Sequence, residues 1–185
     1  MRRDEMDPID TLMAEHRKIE AALDALDVFA DRLAAGEPAP AGDLAEFVRF
    51  IREFADRTHH GKEENILFEA MVAAGFPKEA GPIAVMLMEH DEGRQHVGVL
   101  ADAANAGAIE ASTRNRVVSA ARGYTSLLRD HIQKEDNILY QMARARLSPE
   151  AYSAVARQCA EYEAAHSEEK KELLALGDSL VQRYR

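Results

Sequence analysis

Two segments of this chain repeat one pattern of residues, and the pattern strongly limits how the chain can fold. HHGKEENILF begins at residue 59, and HIQKEDNILY begins 72 residues later, at residue 131. Each copy reads His-x-x-x-Glu and continues into an apolar run. Residues four apart lie one turn apart on the same face of a helix. Each copy therefore predicts a helix that presents an imidazole and a carboxylate side by side.

A shorter repeat lies upstream of each copy. LMAEHRKIE at 12–20 resembles MLMEHDEGR at 86–94, an offset of 74 residues. A first pair of helices is thus echoed by a second pair, and clusters of Gly and Pro separate the helical segments. No window alternates as a strand would. We predict an all-α protein: an up-down-up-down four-helix bundle over 1–146, with an additional fifth helix over 147–185.

Charge and composition exclude several classes of function. The net charge is −10 with no cluster of Lys and Arg, so nucleic acid is not an expected partner. No apolar run approaches the roughly 20 residues that span a bilayer, and MRRDEMDPIDTLM lacks the apolar core of a secretory signal. A cytoplasmic protein is expected. The single Cys159 excludes an internal disulfide and a thiolate-rich metal site.

The alignment of the two copies selects which histidine and glutamate of HHGKEE belong together. Matching Asn-Ile-Leu in both copies places His59 opposite His131 and Glu63 opposite Glu135. The same alignment places His60 opposite an isoleucine. With α-helical spacing, the neighbours of His60 on its own face are charged. His60 is therefore predicted to face solvent.

The upstream repeat supplies two more histidines on apolar faces, His16 and His90. Each of the four helices then directs one histidine along its apolar stripe, and two helices add a glutamate one turn on. Carboxylates buried among Ile and Leu are costly unless they are paired or bound to metal. Four imidazoles and two carboxylates in a bundle can bind two metal ions, with the carboxylates bridging. The predicted ligands are His16, His59, Glu63, His90, His131 and Glu135.

In this order and spacing the six residues resemble the hemerythrin-like family of HHE domains. The resemblance covers roughly residues 8–145 and includes the phrases MLMEHDEGR and HIQKEDNILY. It implies a non-haem di-iron site in which the four histidines are terminal ligands. Glu63 and Glu135 would bridge the irons, together with an oxo or hydroxo group. Mixed imidazole and carboxylate ligands also suit manganese or zinc, so those ions stay as alternatives.

The sequence departs from the oxygen-carrying members of that family at two positions. Arg94 stands where they have a further histidine, and Asp136 stands where they have the fourth-helix acid. We prefer Glu135 as the ligand because its spacing matches that of Glu63, with Asp136 as the alternative. Fewer protein ligands leave more positions for oxygen, peroxide or nitric oxide. Redox, sensing or stress chemistry is therefore favoured over simple oxygen carriage.

Several alternatives remain at this stage. His60 could replace the missing third-helix histidine, and Tyr124 could be a ligand or a proton donor. Glu20 and Arg94 could orient ligands, since each lies one turn after a ligand histidine. The chain could bind or sense a small ligand, act as an enzyme on peroxide, oxygen or nitric oxide, or be a helical bundle without a metal. A homodimer formed through the fifth helix is a further hypothesis.

Overall fold

The computed structural model describes residues 7–185. Residues 1–6 lie outside the described part; they belong to the predicted domain 1–146 and to the segment used to predict localisation. The all-α class predicted from the sequence is confirmed, since the described residues form helices and no strand. None of these helices is both long enough and apolar enough to cross a membrane.

Four long helices form the bundle. Helix α1 spans Pro8–Ala34, α2 spans 41–73, α3 spans Gly81–Asn105 and α4 spans 111–146. Helix α4 packs on both α1 and α3, and α3 packs on α2. Short connections make successive helices antiparallel neighbours. The start of α1 is fixed by Asp7, whose carboxylate accepts from the backbone N–H of Ile9 at 2.9 Å.

Three segments of α2 and α4 are π-helical, and they shape the middle of the bundle. They cover Ile51–His60, Glu63–Leu67 and Glu135–Leu139. A π-helix bonds residue i to residue i+5, so its turn is wider than an α-turn and often marks a functional site. The second and third segments begin at the glutamates of the two repeats. The first segment has no counterpart in the second repeat.

The chain after the bundle forms a helical hairpin of α5, Pro149–Ala165, and α6, Ser167–Arg183. The predicted fifth helix is thus divided at His166. Helix α6 packs on α1 and α2, and its Leu173 and Leu180 are fully buried. The division of the chain at 146/147 into two domains stays a prediction.

Two separate apolar clusters occupy the two ends of the bundle. The first contains residues from Ile19 to Leu33 of α1 together with the start of α2 and the end of α3. The second contains Ile9 and Leu12 of α1, the end of α2 and the start of α3. Between them lies a layer of buried polar side chains. The fold therefore holds a polar layer between two apolar ends, which is where a bundle can bind an ion.

The close approach of α6 to α2 gives a first testable prediction. A Cβ added at Gly177 would lie 2.6 Å from Cε2 of Phe50, a buried side chain with little room to move. We expect Gly177→Ala to lower the free energy of unfolding by about 1–3 kcal/mol, the usual cost of overpacking. A Cβ added at Gly98 of α3 would lie in open space, so Gly98→Ala should raise the free energy of unfolding by about 0.5–1 kcal/mol. Urea unfolding measures both, and equal changes would contradict this packing.

Candidate metal centre

The polar layer brings the six predicted ligand residues together. All six are at most 2% exposed, and they come from all four helices of the bundle. Their side chains point towards the middle of the layer, between the two apolar clusters. The residues concerned are His16, His59, Glu63, His90, His131 and Glu135.

The first of two ligand groups lies between α1, α2 and α4. It consists of His16, His59, Glu63 and Glu135, whose nearest donor atoms all lie within 4.8 Å of one another. Nε2 of His16 is 3.3 Å from Oε2 of Glu135, and Nε2 of His59 is 3.7 Å from Oε2 of Glu63. Two imidazoles and two carboxylates thus surround one point.

The second group lies between α2, α3 and α4, and it contains His60, Glu63, His90 and His131 within the same limit. Glu63 is a member of both groups; its Oε2 is 3.7 Å from Nε2 of His90. Oε2 of Glu135 is 3.2 Å from Nε2 of His131, so Glu135 also reaches this group. Both carboxylates therefore lie between the two sets of imidazoles, as bridging ligands would.

The prediction that His60 faces solvent is wrong. His60 is only 5% exposed and stacks on His90, with ring centroids 3.8 Å apart. The cause is the π-helical segment Ile51–His60, in which the residue one turn back is five positions away instead of four. Counted in this way, His60 follows Ala55, which is buried, and both adjacent histidines turn inwards.

The donor atoms at the centre lack partners of their own. Nε2 of His59, Oε2 of Glu63 and both carboxylate oxygens of Glu135 are buried without a hydrogen bond among the described residues. Leaving such groups unpaired is expensive. A cation about 2.1 Å from each donor would hold opposite donors about 4.2 Å apart, close to the spacing found here. The residues present therefore fit a pair of metal ions.

When no metal is bound, protons on the central side chains offset the charges of the buried carboxylates. Burial and the charge of Glu135 raise the pKa of Glu63 well above its usual range. Burial lowers the pKa of His131, but Glu135 outweighs burial and raises it to about 10. Nε2 of His131 also lies 3.0 Å from Nε2 of His90, so a proton or a cation must lie between these two lone pairs. Metal binding would release these protons.

Four carboxylates outside the centre orient the imidazoles. We call them the outer carboxylates; each accepts a hydrogen bond from the Nδ1–H of one histidine at 2.7–2.9 Å. Such a bond fixes the tautomer, so that Nε2 presents its lone pair to a metal. The pairs are Glu15 with His59, Glu64 with His90, Glu89 with His131, and Asp136 with His16.

The outer carboxylates follow the internal repeat, although the sequence analysis missed three of them. Glu15 and Glu89 directly precede the ligand histidines of the upstream repeat. Glu64 and Asp136 directly follow the glutamates of the downstream repeat. The signal was therefore present as an acid beside one ligand in each copy of both repeats. Asp136, the alternative bridging acid, is bonded to Nδ1 of His16 instead.

Arg94 and Glu20, the two residues suggested as orienting groups, act on the ligand histidines through other side chains. Arg94 donates to Glu64 at 2.7 Å and to Asp56 at 2.7 Å, so it supports one outer carboxylate. Glu20 pairs with Arg17, which also contacts Asp136.

Two tyrosines lie near the centre, and they differ in position. The hydroxyl of Tyr140 donates to Oε1 of Glu63 at 2.5 Å, a contact that the sequence analysis missed. The only sequence signal is that the repeat has phenylalanine at the matching position, 68. Tyr124 instead lines a pocket of about 130 Å³ beside His60 and His90. The other walls of this pocket include Ile51, Val97, Leu128 and Arg94.

Comparisons with known proteins agree with this geometry. A family model described as the hemerythrin HHE cation-binding domain matches residues 7–143. The uncharacterized protein Rv1995 of Mycobacterium tuberculosis is 27% identical over 140 residues, which cover 75% of this chain and 54% of that protein. The iron-sulfur cluster repair protein YtfE of Escherichia coli is 31% identical over 119 residues, 62% of this chain and 53% of that protein. The chain thus spans about half the length of these curated relatives. No solved structure matches it.

Proposed function

The chain belongs to the hemerythrin HHE cation-binding domain family, and we propose that it binds two non-haem iron ions in the central polar layer. One observation carries the proposal: Glu63 is shared by two buried groups of metal-ligand residues, and the inward atoms of both glutamates have no other partner within residues 7–185. Imidazole and carboxylate donors suit iron, manganese or zinc. The relatives named iron-sulfur cluster repair proteins favour iron.

The proposed ligand set is the six residues from the sequence with one addition. His16 and His59 would hold one ion, and His90 and His131 would hold the other. His60 joins the second ion because it belongs to the same group of four. Glu63 and Glu135 would bridge the pair. His60 thereby supplies the imidazole that is missing at Arg94.

A small redox-active molecule is the proposed ligand. The pocket beside His60 and His90 measures about 130 Å³, while a water molecule takes about 30 Å³ of the liquid. The pocket therefore has room for oxygen, nitric oxide or peroxide. Bound iron would supply the electrons for such chemistry. The first candidate function is to bind or sense one of these molecules.

A second candidate function is an enzyme that acts on peroxide, oxygen or nitric oxide. The observation that favours it is Tyr124, a buried phenol in the wall of the same pocket. Burial and nearby Asp56 raise the pKa of Tyr124 far above its usual value, so the phenol keeps its proton. The protonated phenol could donate a hydrogen bond to a bound ligand. A cytoplasmic location and a homodimer stay predictions.

Metal analysis is the direct test of the di-iron proposal. Protein produced with supplementary iron is expected to contain about two irons per chain, as the two buried groups require, with ultraviolet–visible absorption from the bridged pair. The same preparation made with manganese or zinc tests the choice of metal. Protein that stays free of metal, or that holds one ion under all three conditions, would overturn the proposal.

Rapid mixing separates the two candidate functions. The di-ferrous protein is mixed with oxygen, peroxide or nitric oxide, and the spectrum and the product are followed. Binding that reverses when the gas is removed identifies a binding or sensing protein. Repeated turnover that falls in Tyr124→Phe identifies an enzyme that uses the phenol.

A further inference from the structure

We infer that the C-terminal hairpin of α5 and α6 positions His59, through Glu163 and Lys170, which hold the outer carboxylate Glu15 in place. This inference rests on the proposed function in taking His59 as a ligand. These two residues lie beyond the stretch, 7–143, that matches the family. The hairpin would thus help to orient a ligand of the metal centre.

The contacts form a closed network around Glu15. Oε1 of Glu15 accepts from Nζ of Lys62 at 2.5 Å and from Nζ of Lys170 at 2.6 Å. Its other oxygen, Oε2, accepts from the Nδ1–H of His59 at 2.8 Å. Glu163 contacts both lysines and is 2.6 Å from Lys170. Glu15 is therefore held at both oxygens and cannot rotate away from the imidazole.

The centre of this network is buried, so its charges have to balance. The side chain of Lys62 is wholly shielded from solvent, and that of Glu15 is 4% exposed. An ammonium group in such a place is costly unless carboxylates surround it. Lys62 and Lys170 face Glu15 and Glu163, which gives two charges of each sign. Removing a cation leaves Glu15 with less compensation and a looser hold on His59.

The second repeat contains the same arrangement without a hairpin. Glu89 accepts from His131 at 2.9 Å and also contacts Lys134, the repeat equivalent of Lys62. Lys134 is 37% exposed at its side chain, and Glu89 has no further cation among its contacts in residues 7–185. Each repeat thus contains a triad of a histidine, an outer carboxylate and a lysine. The hairpin covers the triad of Lys62 and leaves the triad of Lys134 facing solvent. This difference makes the second triad an internal control.

The hairpin is attached firmly enough to act in this way. The hydroxyl of Tyr162 donates to the backbone carbonyl of Arg57 at 3.1 Å, and the side chain of Arg57 pairs with Glu169. Gly177 lies against Phe50 on the same helix, α2. These contacts fix α5 and α6 on the π-helical segment that ends at His59 and His60.

The test compares Lys170→Met with Lys171→Met in the full chain after removal of metal with a chelator. Lys171 is the next residue, and in the described part of the chain its ammonium group pairs only with the exposed Glu168. We expect exchange of the His59 Nδ1 proton with water, followed by imidazole NMR, to rise about tenfold or more in Lys170→Met, since a charge-assisted bond is lost. Glu163→Gln, which keeps the side-chain size, should have an effect in the same direction.

Lys134→Met tests whether the effect is local. Lys134→Met should speed exchange of the His131 Nδ1 proton and leave exchange of the His59 Nδ1 proton unchanged, whereas Lys170→Met should do the reverse. A general loosening of the fold would raise both exchange rates in both variants. If the His59 Nδ1 proton exchanges at the same rate in Lys170→Met as in Lys171→Met, the inference is overturned.

Metal binding gives a second readout. Loss of an outer hydrogen bond usually weakens a metal site about 10–100-fold, so Lys170→Met, which loosens the bond between Glu15 and His59, should weaken binding of the ion held by His16 and His59 by up to that factor. Binding of both ions as tightly as in Lys171→Met would overturn the inference. If the wild-type chain binds no metal but the His59 signal responds to Lys170→Met, the di-iron proposal falls and the positioning of His59 by the hairpin stands.

Discussion

Replacement of Glu63 by glutamine is expected to abolish the binding of both metal ions and to leave the metal-free protein at least as stable as the wild type. Glu63 is shared by both ligand groups, so a neutral amide there weakens each of them. In the metal-free protein, burial and Glu135 raise the pKa of Glu63 well above its usual range and so favour its neutral form. The amide has almost the same shape and can still accept from Tyr140.

Thermal unfolding with and without iron measures this effect. Free metal at a thousand times its dissociation constant stabilises a protein by about 4 kcal/mol, and the variant should lose that gain entirely. Glu69→Gln is the matched control, because Glu69 lies on the same helix and, among the residues that the structure describes, pairs only with the exposed Lys78. If Glu63→Gln retains as much iron as Glu69→Gln, the shared carboxylate is not a bridging ligand.

The fold and the composition of the polar layer could be predicted because both depend on simple spacing. A histidine and a glutamate four residues apart must share a helix face, and the repeat shows which pairs correspond. Glycine and proline clusters fix the ends of the helices. The structure brings His16, His90 and the two His-x-x-x-Glu pairs together as this reasoning predicts. Their role as metal ligands stays a prediction.

The remaining features depend on packing, which spacing does not reveal. The π-helical turn before His60 changes which residues share a face, and α-helical spacing does not predict it. The buried Lys62 has the sequence context of a surface lysine; its burial requires the hairpin at Glu163 and Lys170. The outer carboxylates could have been predicted, because the acids beside His16, His90 and the two repeat glutamates follow the same repeat.

Replacement of His60 by alanine is expected to remove one of the two metal ions and leave the other in place. His60 belongs to the group with His90 and His131, and it is not a member of the group with His16 and His59. Iron per chain should therefore fall to about half of the wild-type value, as in His90→Ala, since each variant takes one imidazole from that group. The alignment of the repeats alone predicts no loss. Metal analysis at saturating iron distinguishes the two expectations.

His96→Ala is the control for this experiment, since His96 lies on α3 outside both ligand groups. Circular dichroism of each variant excludes a loss of fold as the cause. Full retention of iron in His60→Ala would make His60 a packed histidine beside Asp56. Nδ1 of His60 is 3.5 Å from Asp56 and makes no hydrogen bond in the described residues. The wide helical turn directs this imidazole inwards, and a loss of iron in His60→Ala would make it a metal ligand.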